Sequence, residues 1–301
     1  MPSPAGKREE TTLEERRRVR HEEARRRALK RRAILIGVPV ALLAFVVGAK
    51  LLRGGSSGTE EKETPAQLVA RQRARENRAI DRVLGYTTFI KSGKGRKREV
   101  ALTFDDGPSE YTDRVLRILR RTNTPATFLV IGSMVRERQG TLRKIVRQGQ
   151  AVGNHTDSHP AMGTLDAVSQ SREVDDQERA VKEAGARERR LFRPPYRSFD
   201  ESTLELLAER KLLMVLWSVD TSDYESPDPR EMAHDVLNQV EPGSIILMHD
   251  GGGDRTATVR ALPDIIKGLK RRHLKPVTVP RLVLDDPPPR DQGMPEGTLK
   301  G

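Results

Sequence analysis

The chain has no cysteine in 301 residues, which removes disulfides, thiolate zinc sites and cysteine nucleophiles together. Aromatic residues make up 4% of it, with a single Trp, so an extended stacking platform for sugars or bases is not expected. No G-x-G-x-x-G follows a strand-like run, which argues against a dinucleotide site. The Gly-rich stretch L-M-H-D-G-G-G-D, where a phosphate cradle is the rival reading, lacks a following G-K-[ST]. There is no internal repeat.

What the chain does carry is positive charge, unevenly placed. Residues 1–32 hold net +6 of the total +12, in a tail that alternates Glu pairs with Arg runs and has almost no large apolar residue. Such a segment cannot bury enough surface to offset its ordering entropy. Ala33 to Leu52 is then apolar apart from Gly, Pro39 and Lys50. Twenty helical residues rise about 30 Å, the thickness of a hydrocarbon core, and Lys50 can snorkel. The expectation is one transmembrane anchor at 33–52, with residues 1–32 as a basic cytoplasmic tail and everything after Arg53 outside. A cleaved signal peptide is the competing reading, but G-A-K-L-L-R after Val47 offers no A-x-A site. The tail abuts the span and lacks interleaved aromatics, so it reads as an orientation signal touching anionic lipid, and no nucleic-acid partner is expected. Nothing identifies a protein partner.

Residues 53–95 read as a linker and stalk, with a polar helix over 66–84, and 284–301 as a disordered tail. Between them, strand-like runs alternate with amphipathic segments: Glu99–Asp106, Ala126–Gly132, Ala151–His155, Leu191–Tyr196, Leu213–Asp220, Ser244–Asp250 and Pro276–Pro280. This predicts an α/β domain over 96–283, a mostly parallel sheet of about seven strands. A distorted, incomplete β/α barrel is the first choice and an open doubly wound sheet the second.

The chemistry-bearing residues fall where strands end, and in parallel β/α folds those ends share one rim. T-F-D-D-G-P places Asp105 and Asp106 side by side, able to serve as metal ligand and neighbouring base; otherwise Gly107–Pro108 makes a turn and one Asp caps a helix. H-T-D-S-H offers His155 and His159 four apart, a spacing that lets both reach one ion. Two imidazoles and one Asp would leave positions open for water and substrate. Oxygen-activating iron enzymes share that set, but a base and an acid nearby favour hydrolysis. In R-P-P-Y, Arg193 either orients a carboxylate and keeps it ionised or forms a structural ion pair. Asp223 of D-T-S-D-Y either caps a helix or charges a histidine. His249 of L-M-H-D-G is a candidate acid. His21, His234 and His273 have no partners in sequence and read as surface residues.

In this order and spacing the five motifs resemble the polysaccharide deacetylase (NodB-homology) family, carbohydrate esterases that remove acetyl groups from sugars. The resemblance covers roughly residues 97–282 and implies a distorted β/α barrel. It also implies one divalent metal ion, zinc first, on Asp106, His155 and His159. Asp105 becomes the general base and Arg193 the residue that tunes it. The Tyr196 amide helps bind the oxyanion, and Asp223 tunes His249, the general acid. Leu247 would line the pocket for the acetyl methyl, with Tyr196, Trp217 and Tyr224 as aromatic contacts near the rim. The family often has Trp where this chain has Tyr224, which bears on substrate preference.

An anchored enzyme outside a cytoplasmic membrane meets cell-wall glycan first. The expected substrate is therefore N-acetylglucosamine in peptidoglycan, with N-acetylmuramic acid, chitin-type oligosaccharides, other surface polysaccharides and acetylated xylan open. A non-catalytic glycan-binding wall protein and a metallophosphoesterase are the readings from other classes.

Overall fold

A computed structural model describes residues 63–225 and 228–293. It opens with helix α1 (Pro65–Leu84) and a two-residue strand β1 (Phe89–Ile90), followed by β2 (Glu99–Asp105) and α2 (Glu110–Thr122). The chain continues through β3 (Thr127–Val130), α3 (Gly132–Glu137), α4 (Gln139–Arg147), β4 (Ala151–Asn154), α5 (Ala167–Glu183), β5 (Leu191–Phe192) and α6 (Glu201–Glu209). It ends with β6 (Leu213–Val215), β7 (Val219–Asp220), α7 (Pro229–Gln239), β8 (Ile245–His249), α8 (Thr256–Arg271), β9 (Lys275–Val277) and α9 (Val279–Asp285).

Local chemistry accounts for these boundaries. Strand β2 is buried along its whole length, as expected of a central strand covered on both faces, so it reads as a near-continuous apolar run. In α2, Ser109 caps the Tyr111 amide while Thr112 reaches back to the Ser109 amide, and Asn123 closes the other end in the left-handed conformation. One stripe of α2 (Val115, Leu116, Ile118, Leu119) is buried and the rest faces water.

All strand pairs in the sheet are parallel, in the order β1-β6-β5-β4-β3-β2-β8-β7, with β9 paired to the start of β2. Strands β6 and β7 lie six positions apart in this order, about 29 Å in a flat sheet. Yet only Leu216, Trp217 and Ser218 join them, and four Cα steps reach at most about 14 Å. The sheet therefore curls so that its two ends approach each other. Along the seam the Leu216 amide donates to Ile90 and the Ser218 amide to Ile245, while Ser92 and Ser244 form an antiparallel bridge. The architecture is a curled, parallel-stranded α/β half-barrel.

The expected seven strands become nine. Leu213–Asp220, expected as one strand, crosses the seam and divides into β6 and β7, and Phe89–Ile90 is too short to show periodicity. The expected limits at 96 and 283 are too narrow. The helix expected as a stalk is α1, and its Ala79, Ile80 and Val83 are buried with Ala101, Leu191, Leu213 and Ile245 of the strands and Val279, Leu282 and Val283 of α9. Past 283, buried Asp286 accepts the Gly95 and Arg96 amides at 2.8 and 3.3 Å, and Tyr86 donates to the Pro288 carbonyl. The opposite face of β2 (Val100, Leu102, Phe104) packs with α2, α7 and α8.

Among the described residues no helix is long and apolar enough to cross a membrane. The basic tail, the span expected at 33–52, residues 53–62 of the linker and residues 294–301 of the tail lie outside the described residues.

Candidate active site

Parallel register sets the rim. Asp105, the last residue of β2, pairs with His249, the last of β8, and Asn154 ends β4 opposite Phe192 of β5. Asp106, His155 and Arg193 follow these strand ends directly. Six non-glycine residues with positive φ sit in the loops just beyond: Asp106 (72°), Thr156 (65°), His159 (65°), Tyr196 (55°), Arg197 (57°) and Ser222 (49°). Each left-handed residue costs roughly 1–2 kcal/mol, so strain is concentrated around one opening.

Asp106, His155 and His159 converge there. Their potential ligand atoms all lie within 4.8 Å of one another. The two Nε2 atoms are 3.4 Å (His155) and 3.2 Å (His159) from Asp106 Oδ1. His155 Nδ1 lies 2.7 Å from the Arg193 carbonyl, which can only accept, so that nitrogen carries the proton and Nε2 of the neutral ring presents a lone pair. His159 Nδ1 is 3.1 Å from the Tyr196 hydroxyl, which orients the second ring. Asp106 Oδ1 is buried with no donor correctly placed on it. Lone pairs meeting a buried carboxylate oxygen repel unless a cation sits among them, so these residues fit a divalent ion.

Asp105 faces the same point from the other side, its Oδ2 3.7 Å from His155 Nε2. Its Oδ1 accepts from Arg193 Nη1 at 2.7 Å. Arg193 is fully buried and held by Thr103 Oγ1 and the Val215 and Leu216 carbonyls, so it fixes Asp105 in place.

His249 closes the arrangement. Its Nδ1 is 2.6 Å from Asp223 Oδ1. Asp223 Oδ2 accepts the His249 amide (2.7 Å) and the Thr258 hydroxyl (2.6 Å). Burial lowers the His249 imidazole, but the hydrogen bond and charge of Asp223, reinforced by Asp105 and Asp106, raise it above the ordinary histidine value. Asp223 is raised by burial and lowered further by His249 and Thr258, ending below its usual range. With Nδ1 committed to a carboxylate, Nε2 is left to donate a proton.

These groups line one cleft of about 810 Å³. Asp105, Asp106, His155, His159, Arg193, Tyr196, Trp217, Tyr224, Leu247 and His249 all border it, with Asp223 buried behind His249. Tyr224 meets the His249 ring edge-on at 5.9 Å, and Leu247 is the apolar floor. His234 and His273 are exposed and outside the cleft.

A family model for polysaccharide deacetylase matches residues 92–215. A peptidoglycan-N-acetylglucosamine deacetylase of Bacillus cereus is 34% identical over 196 residues, covering 64% of this chain and 71% of that protein. A chitooligosaccharide deacetylase of Bradyrhizobium is 36% identical over 198 residues, covering 62% of this chain and 90% of the relative. The chain belongs to the polysaccharide deacetylase family. A solved peptidoglycan N-acetylglucosamine deacetylase superposes with a TM-score of 0.63 at 33% identity, over 65% of this chain and 92% of that one. This polysaccharide deacetylase is an enzyme, a hydrolase of N-acetyl groups.

Sequence reasoning overlooked three residues of the deacetylase site. Thr258, on α8, completes the shell of Asp223 from a position with no local signal. Arg255, nearly buried, donates to the Gly251 and Gly252 carbonyls and stiffens the glycine loop beside the cleft. Asp250 is fully buried beneath Asp105 and Gly107. Its amide donates to the Asp105 carbonyl at 3.0 Å and its Oδ2 accepts from Thr112 Oγ1 at 2.5 Å. Burial pushes its carboxyl up to about 7; the Thr112 hydroxyl opposes this and the charges of Asp106 and Asp105 reinforce it. In sequence it looks like a loop acid after His249. Gly107 is glycine because a Cβ there would lie 2.5 Å from Asp250 Oδ1. Gly107→Ala is therefore expected to cost about 1–3 kcal/mol, read as a lowered Tm, and an unchanged Tm would show that Asp250 can move aside.

Proposed function

We propose that this enzyme removes N-acetyl groups from cell-wall polysaccharide, with N-acetylglucosamine of peptidoglycan as the leading substrate, releasing acetate and depending on one divalent cation. The observation that carries the reading is the convergence of Asp106, His155 and His159 on one point, with the Arg193-held Asp105 and the Asp223-charged His249 beside it. Asp106, His155 and His159 would hold the cation, zinc before cobalt or another first-row metal because two imidazoles and one carboxylate suit it. When bound, it supplies charge that polarises the acetyl carbonyl and acidifies a water.

The protein's own groups do the rest. Asp105, kept in position by Arg193, takes the proton from the attacking water. The Tyr196 amide donates to the oxygen that gains charge, and Leu247 receives the acetyl methyl. His249 gives its proton to the departing amine, a very poor leaving group unless protonated. Tyr196, Trp217 and Tyr224 contact the sugar. The basic tail and apolar segment at 33–52 would place the cleft outside a cytoplasmic membrane, where peptidoglycan lies; this location and the relatives named above favour that substrate.

The raised His249 imidazole has a consequence for pH dependence. A raised value keeps the acid protonated past pH 6.5, so the alkaline fall in kcat/KM is expected above it. Asp223→Asn should move that limb to lower pH, and a limb that stays put would remove Asp223 from this role. Incubating residues 60–301 with acetylglucosamine oligomers and muropeptides tests the reaction itself by mass spectrometry. Loss of one acetyl mass per modified sugar is expected, and intact substrates would refute the proposal.

A further inference from the structure

Arg197 stands apart from the other cations of the cleft. Arg193 is paired with Asp105, and Arg255 donates to two loop carbonyls. The half-buried Arg197 side chain has no ion-pair or hydrogen-bond partner among the described residues, and its Nε is buried without an acceptor. Its guanidinium carbon lies 5.3 Å from the centre of the Trp217 ring, which is itself fixed by a hydrogen bond from Nε1 to Asp220 (3.1 Å). The stack orders the side chain without neutralising it, and its donors stay free for a flat anion.

The backbone argues the same way. Arg197 has φ 57°, a conformation that glycine adopts freely and arginine does not. It directly follows Tyr196, whose hydroxyl touches His159, so the free cation sits on the wall beside the reacting groups. A cation ordered on an aromatic face, unpaired and held in a strained backbone, is a recognition element more readily than a structural one.

We infer that Arg197 makes the enzyme selective for acidic glycans, by pairing with a carboxylate on the sugar next to the one being deacetylated. In the polymer proposed above, the lactyl ether acid of N-acetylmuramic acid supplies such a group wherever the stem peptide has been removed from it. The inference rests on the deacetylase reading of the cleft and specifies its substrate class.

The test compares one glycan in two charge states. Peptide-free strands of alternating acetylglucosamine and acetylmuramic acid are used as the free acid and after conversion of the carboxylate to its methylamide. Acetate release by the full-length, metal-loaded chain gives kcat/KM for each. The wild type is expected to prefer the acid. Arg197→Gly, which suits the backbone, should lower the acid-to-amide ratio at least about tenfold through KM. Arg197→Lys should restore part of it. A purely structural role would depress both substrates alike and leave the ratio unmoved. That outcome, or a wild-type ratio near one, overturns the inference while leaving deacetylation standing. Failure of the wild type on both substrates would overturn deacetylation as well.

Discussion

Asp105→Asn is expected to lower kcat at least about a hundredfold. The substitution keeps the shape of the side chain, and an amide oxygen can still accept from Arg193 Nη1, now 2.7 Å from Asp105 Oδ1. What disappears is the capacity to take a proton. Arg193 keeps its bonds to Thr103 and to the Val215 and Leu216 carbonyls, but its buried guanidinium loses its counter-charge, so a lowered melting temperature should accompany the loss of turnover. Steady-state acetate release together with a thermal melt separates the two. Activity within a few-fold of wild type would assign the base to another group.

Arg193→Met is expected to cost stability and activity together. Arg193 is the largest fully buried side chain of the described residues. Its guanidinium reaches from β5 to Thr103 and Asp105 of β2 and to the carbonyls of Val215 and Leu216. Removing it strands the Asp105 carboxylate in a buried site, and breaking such a pair from one side costs roughly 3–5 kcal/mol. Without the guanidinium the carboxylate also loses the contact that orients it, so turnover falls with stability. Urea unfolding at neutral pH measures the first effect. A change below about 1 kcal/mol would mean that water replaces the guanidinium.

Much of this was legible in the sequence because the site is built from strand ends. Glu99–Asp106 reads as a strand because it is a short apolar run closed by a turn pair, and His155 and His159 read as a pair because their spacing of four lets both rings reach one ion. What was hidden depends on the curl of the sheet. Nothing in Leu213–Asp220 reveals that its first half pairs with β1 and β5 while its second half pairs with β8, since Ser218 alone interrupts the apolar run and is no turn signal. Helix α1 was legible as a helix but not as part of the domain, because Ala79, Ile80 and Val83 form one narrow stripe on an otherwise charged helix. Asp250 and Thr258 act through contacts made across the fold, and neither has neighbours in sequence that distinguish it from an ordinary surface acid or hydroxyl.

The most direct test of the account is metal content measured alongside activity. Native mass spectrometry of the zinc-replenished protein should find one tightly held ion per chain, lost in Asp106→Ala and in His155→Ala. Acetate release should fall with occupancy on chelation and return with zinc or cobalt. Full activity in the thoroughly chelated protein, or zinc retained after both substitutions, would contradict it.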